Sequence, residues 1–182
     1  MKKIMFNDKY GLTRAVLVGQ KTMTRRNIDD TSITLSLVQG ISILNYSRYK
    51  VGEEVAVAER YSDIVWPANS SARDEFYSSK GWSNKMFVRV DAMRHRIRIT
   101  DIKVERLQDI TDEDCMAEGI KKKSDFPRKK SLPFFFEGGK HEWDNSFSTP
   151  RKAYAALIDR ISGKGTWESN PYVFVYSFKL IN

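Results

Sequence analysis

Residues 171–181 read "PYVFVYSFKLI", and this stretch decides the class of fold. A strand with one face in water alternates apolar and polar positions, whereas here both alternating sets are apolar over most of the run. That is the pattern of a central strand buried on both faces. Its neighbours are sought outward along the chain. "HRIRITDIKVERL" (95–107) alternates strongly, but its apolar face switches between Ile99 and Ile102, which predicts a bulge near Thr100 and Asp101. "YKVGEEVAVAERY" (49–61) places a glycine turn before a strand whose Val55, Val57 and Glu59 share one face. "KKIMF" (2–6) reads as a short first strand.

Helix signals fall between and beyond these strands. Asp8 is positioned to cap a helix carrying Leu12, Ala15, Val16 and Val18, with Gly19 as its stop. Thr111 begins "TDEDCMAEG", a threonine cap with three acids in the first turn, so Glu118 ends a short helix. Thr149 and Pro150 open "TPRKAYAALIDRISG", with Tyr154, Leu157, Ile158 and Ile161 on one face and Gly163 at the end. Several strands with short flanking helices predict an α+β fold built on a partly closed β-barrel. The 182 residues suit one domain over 1–182, with insertions near 62–92 and 121–148.

No apolar run reaches the length that spans a bilayer, and the apolar stretch in "MKKIMFNDKYG" is too short for a signal peptide. With Cys115 the lone cysteine, the expected setting is the reducing cytoplasm. His95 sits in a strand, His141 in a loop, and no Cys/His pair has ligand spacing, so neither a metal nor another cofactor is expected. The phosphate-cradling loop, the dinucleotide fingerprint and the serine-hydrolase elbow are all missing from the sequence.

A net charge of +8 favours anionic ligands. Six cations fall within residues 121–130, and three phenylalanines, a histidine and a tryptophan follow by 143. Lys121, Lys122, Lys123, Arg128, Lys129 and Lys130 are therefore candidate nucleic-acid contacts, since cations with interleaved rings suit single strands. The same run also reads as a solvated loop whose rings tuck onto the core.

"GQKTMTRR" (19–26) concentrates two threonines and three cations where a helix ends. If the chain turns after Gly19, Lys21 and Thr24 come within reach of each other, and a lysine shielded from water can activate a threonine nucleophile. Glu118 at a helix C-terminus is either an acid raised by the dipole or a surface residue neutralised by Lys121–Lys123. Glu59 is either turned inward or in water at its strand end.

The run resembles the G-x-K-T-x-T-x-R signature of ASCH domains, relatives of the PUA RNA-binding fold. "YKVGEEVAVAERY", "RITDIKVERLQDITDEDCMAEGI" and "NPYVFVYSFKL" are similar to stretches found in the same order in that family. The resemblance implies a PUA-like barrel and a cleft that receives a nucleobase, a modified nucleoside or RNA. It also implies hydrolysis of an acyl amide such as that of N4-acetylcytidine, with Lys21, Thr24 and Glu118 as catalytic residues. Thr22, Arg25, Arg26 and Glu59 are the expected ligand contacts. The alternative is a non-catalytic RNA-binding module that uses the same cleft to read a base.

Overall fold

The computed structural model describes residues 1–64, 77–123, 132–139 and 144–181. In chain order its elements are β1 (Lys2–Ile4), α1 (Leu12–Leu17), β2 (Met23–Asn27), α2 (Asp30–Gln39), β3 (Glu54–Val57), β4 (Arg96–Arg106) and α3 (Asp112–Ala117). They continue with β5 (Lys121–Lys122), β6 (Phe134–Phe135), β7 (Ser146–Phe147), α4 (Pro150–Ser162), α5 (Thr166–Ser169) and β8 (Tyr172–Ile181). This is an α+β fold, the class predicted.

Five strands form one sheet in the order β1-β3-β4-β8-β2. β8 is interior to it, antiparallel to β4 on one side and to β2 on the other, and Val173, Phe174, Val175 and Tyr176 are buried in succession. The two-faced apolar pattern of the sequence thus marks a strand with cover on both sides. In β4 the register shifts between Ile99 and Asp101, which places the expected bulge. β1 pairs parallel with β3, and β3 antiparallel with β4.

The sheet is not closed into a barrel: among the described residues no ladder joins the edge strands β1 and β2. Their nearest link is the Arg26 guanidinium, whose Nη2 donates to the Met5 carbonyl just past β1 at 2.7 Å. The opening so left is filled from one side by α4, whose Tyr154, Leu157 and Ile158 join the main core. Thr149 Oγ1 accepts from the Lys152 amide and caps α4, and Thr111 Oγ1 does the same for α3 from the Asp114 amide.

Three local expectations are corrected. Asp8 does not cap α1; Gly11, at φ 67°, occupies that position, and the Asp8 carboxylate instead bonds Thr13 and Lys85. Val18 is exposed, because α1 ends at Leu17 and the chain turns at Gly19, φ 73°. The segment after Ile120 is not wholly irregular: β5, β6 and β7 form a three-stranded sheet, and Phe136 is buried edge-on against Tyr10. α2, which hydrophobic periodicity does not announce, has no fully buried residue and packs only the half-buried Ile33 against the core. Its Leu37 and Val38 are each 78% exposed.

Candidate functional site

The turn at Gly19 carries the chain from α1 back along the sheet edge, and Lys21 is buried on the way at 2% exposure. Its ammonium donates to the Met23 carbonyl at 2.7 Å, the Glu118 carbonyl at 2.7 Å and Glu118 Oε2 at 2.6 Å. All three N–H bonds are thereby used. Gly119, at φ 106°, clears the space for this: a Cβ there would stand 3.1 Å from Leu12 Cδ2 and 3.7 Å from Lys21 Cδ. Burial pushes the Lys21 pKa down, while the charge and hydrogen bond of Glu118 pull it back up.

Glu118 follows the last turn of α3 and is 4% exposed, so it is not a surface residue neutralised by Lys121–Lys123. Its second carboxylate oxygen accepts from Arg25 Nη1 at 3.2 Å. Arg25 itself is sealed off, with all five donors committed. Nε and Nη2 reach Glu105 Oε1 at 3.1 and 2.6 Å, Nη2 reaches Asp114 Oδ2 at 2.6 Å, and Nη1 also meets Met23 Sδ at 3.3 Å. Burial alone opposes its charge, but Glu118 and the bonds from Glu105 and Asp114 raise its pKa overall. Lys103 completes the cluster at 2.9 Å from Glu105 and 3.7 Å from Asp114. Three cations (Lys21, Arg25, Lys103) therefore balance three carboxylates (Glu105, Asp114, Glu118), which allows a charged cluster to persist in a core.

Against this cluster lies a cavity of about 300 Å³, set between the chain after β1 and strand β2 and walled by α4. Lys21, Thr24, Arg25, Arg26, Glu118 and Tyr154 are in its lining. The side-chain hydroxyls of Thr24, 4% exposed, and Tyr154, 2% exposed, form no hydrogen bond with the described residues. Every fully enclosed side-chain polar atom among those residues does have a partner. The two hydroxyls therefore open onto the cavity and are left for whatever enters it.

Burial, with the Glu118 charge adding to it, raises the Tyr154 pKa well above its ordinary value. A raised folded-state pKa contributes stability below the unfolded value near 10 and loses it as pH rises through the folded one. Tyr154→Phe is accordingly expected to show a shallower loss of stability than the parent above about pH 10. Chemical denaturation of the two at pH 9 and pH 11 measures this, and parallel losses would contradict it.

The other expected contacts have separate places. Thr22 is exposed and holds the strand through its backbone: its amide donates to the Ala117 carbonyl at 2.9 Å and its carbonyl accepts from the Phe178 amide at 2.9 Å. Glu59 is buried but does not line this cavity; it meets His95 Nδ1 at 2.9 Å beside a second, smaller core around Ala58 and Tyr61. Arg26 is exposed at the cavity rim, with one donor on Met5 and its guanidinium 6.0 Å over the Phe6 ring.

In the basic segment, Lys121 is paired with Glu137, and Lys122 and Lys123 stand 6.0 and 5.4 Å over Phe134 and Phe135. Arg128, Lys129 and Lys130 lie outside the described residues. Burial, with Asp112 adding to it, pushes the Cys115 thiol up to about 12, far from a nucleophile's range. No cluster of three His, Cys, Asp or Glu suited to a metal occurs among the described residues. No helix among them is long and apolar enough to cross a membrane.

Sequence reasoning misses Tyr154 as a cavity group, although a signal exists: its hydroxyl interrupts the apolar face of Leu157, Ile158 and Ile161, which ends in Ser162. It also misses Glu105 and Asp114, for which spacing gives no signal.

No family model and no curated protein matches the sequence. Among solved structures the chain is similar to protein EF3133 of Enterococcus faecalis V583, assigned to the DUF984 family, at 13% identity and a TM-score of 0.47, over 100% of this chain and 80% of that one. It is also similar to an ASCH domain from Lactobacillus crispatus JV V101, at 12% identity and a TM-score of 0.39, over 93% of this chain and 69% of that one.

Proposed function

We propose that the chain is an ASCH-type protein whose Thr24 cavity receives an acylated nucleobase and hydrolyses its amide, N4-acetylcytidine being the model substrate. The observation that carries this reading is the Thr24 hydroxyl, unpartnered, in the lining of a cavity that a buried Lys21–Glu118 pair also lines. Burial lowers the Lys21 pKa, so the lysine can give up a proton at its 2.6 Å contact with Glu118 and stand as a free amine.

The Thr24 hydroxyl does not bond Lys21 in the structure, so the reaction requires the two to close on ligand binding; Lys21 then takes the Thr24 proton as the threonine oxygen bonds to the acyl carbon. Glu118 then gives its proton to the leaving amine, so the C–N bond breaks with charge balanced and Thr24 is left acylated. Water attacks the ester, its proton goes to Glu118, acetate leaves, and Thr24 recovers its proton from Lys21. Arg26, with donors beyond the one on Met5, and the Tyr154 hydroxyl are placed to bond the acyl oxygen or the base edge. Arg25 has no donor to spare, so its part is to fix the Glu118 carboxylate rather than to touch ligand.

The test is release of acetate from N4-acetylcytidine by the parent protein and by Glu118→Gln, which keeps the shape and removes the titrating proton. Turnover by the parent, lowered about 10²–10⁴-fold in the variant, is expected. A parent that binds the nucleoside without releasing acetate would sink the hydrolytic reading. The non-catalytic base reader would then stand, a reading supported by an adjacent cation-lined groove.

A further inference from the structure

Beyond Arg26 lies a second cavity, of about 530 Å³, lined by Lys3, Met5, Arg26, Asn27, Arg48, Met86 and a wall of aromatic rings. Met5, Arg26 and Asn27 belong to both cavities, so the two meet at the Arg26 side chain. The lining of the second contains three cations and no carboxylate. An acid close by, Glu53, is paired with Lys2 at 3.1 Å.

The three cations differ in what they can offer. Lys3 Nζ donates to the carbonyls of Lys85, Met86 and Val88 at 3.5, 2.6 and 3.0 Å, so its donors are spent while no carboxylate among the described residues pairs with its charge. The Arg48 guanidinium makes no hydrogen bond to the described residues and lies 5.7 Å over the Tyr49 ring, exposed at the mouth. Arg26, tied by one donor, keeps the others. A cleft of one sign with an unpaired, planar, five-donor group at its entrance suits a phosphate.

We infer that this second cavity binds the phosphate of a nucleotide whose base occupies the Thr24 cavity. The ligand is then a phosphorylated nucleoside, free or as one unit of an RNA strand, rather than a bare nucleoside. The inference rests on the reading of the Thr24 cavity as a base pocket. It gives Arg48 the role of phosphate contact and makes Arg26 the hinge of recognition, touching both halves of the ligand. Tyr46, half-buried at the groove wall with its hydroxyl on Gln39, adds a ring face near the sugar–phosphate path.

The experiment measures Kd by calorimetry at low salt for cytidine, which has no amide to cleave, its 5′-monophosphate and a short oligoribonucleotide carrying the same base, with parent, Arg48→Ala and Arg48→Glu. The parent is expected to prefer the monophosphate over the nucleoside by about tenfold or more, as a charge-assisted guanidinium–phosphate contact gives. Arg48→Ala should bring that ratio close to one, and Arg48→Glu should invert it. Both keep the fold, since Arg48 is exposed and its side chain makes no hydrogen bond to the described residues, only the ring contact with Tyr49.

A strand bound a further tenfold more tightly than the mononucleotide, with a steeper salt dependence, identifies RNA as the source of the phosphate; equal affinities identify the mononucleotide. Equal binding of nucleoside and monophosphate by the parent overturns the phosphate site and leaves the base pocket standing. Binding of neither overturns both. A monophosphate preference in a parent that releases no acetate from N4-acetylcytidine supports the phosphate site and removes only the hydrolysis.

Discussion

Thr24→Ala is expected to lower kcat on N4-acetylcytidine by about 10³-fold or more, with ligand affinity changed by little more than tenfold. The two numbers come from different roles of one atom. As a contact, the hydroxyl contributes about 0.5–1.5 kcal/mol, a factor of roughly 2–13. As the nucleophile it cannot be replaced by a methyl group at all. Because the hydroxyl bonds no group among the described residues, its removal leaves none of them unpaired, and the fold should be unaffected. Lys21→Met, by contrast, should abolish turnover and also weaken the protein, since Glu118 would keep only Arg25 as a cationic partner. Steady-state turnover beside calorimetric Kd separates these effects. Turnover of Thr24→Ala within tenfold of the parent would remove the acyl-threonine and point to direct attack by water.

The second large effect is on stability. Arg25→Met should destabilise the fold by about 3–5 kcal/mol, because it removes the one group that meets Glu105, Asp114 and Glu118 together and leaves the buried Glu118 facing the half-buried Glu105 and Asp114. At roughly 2–4 °C per kcal/mol for a chain of this size, Tm should fall by about 6–20 °C. Arg25→Lys should recover little, since a single ammonium cannot reproduce a planar fork that serves three carboxylates. A change below 1 kcal/mol in either variant would mean that the cluster relaxes into water. The measurement also bears on catalysis, because an unfixed Glu118 no longer presents a single oxygen to Lys21.

The sequence makes legible those features that depend on neighbours along the chain. The threonine caps of α3 and α4, the bulge at Thr100 and the doubly buried β8 are all local patterns, and each is found where the pattern lies. Asp8 fails as a cap because its carboxylate has a better, distant partner in Lys85, 77 positions away. Val18 fails because periodicity cannot say where the turn at Gly19 begins. The role of Arg25 is invisible for the same reason: its acids lie 80, 89 and 93 positions away, and only the folded sheet collects them. Alternation puts Glu59 on the face of Val55 and Val57 but leaves open whether it is turned inward or in water; the fold buries it, beside the second core. Lys21, Thr24 and Glu118 are named by a motif resemblance, and what the sequence lacks is Tyr154, whose free hydroxyl becomes visible only once α4 is laid across the cavity.

The position of β2 has a consequence for biosynthesis. Among the described residues its only ladder is with β8, and Thr24 pairs with Tyr176, 152 positions later (176 − 24). At about 5–20 residues per second, a ribosome needs roughly 8–30 s to make that stretch, during which the strand bearing Thr24 has no sheet to join. The cavity is therefore among the last features a nascent chain acquires. Emerging chains cannot bind ligand through it, and a pairing so distant in sequence sets a slow final step, as high contact order does elsewhere.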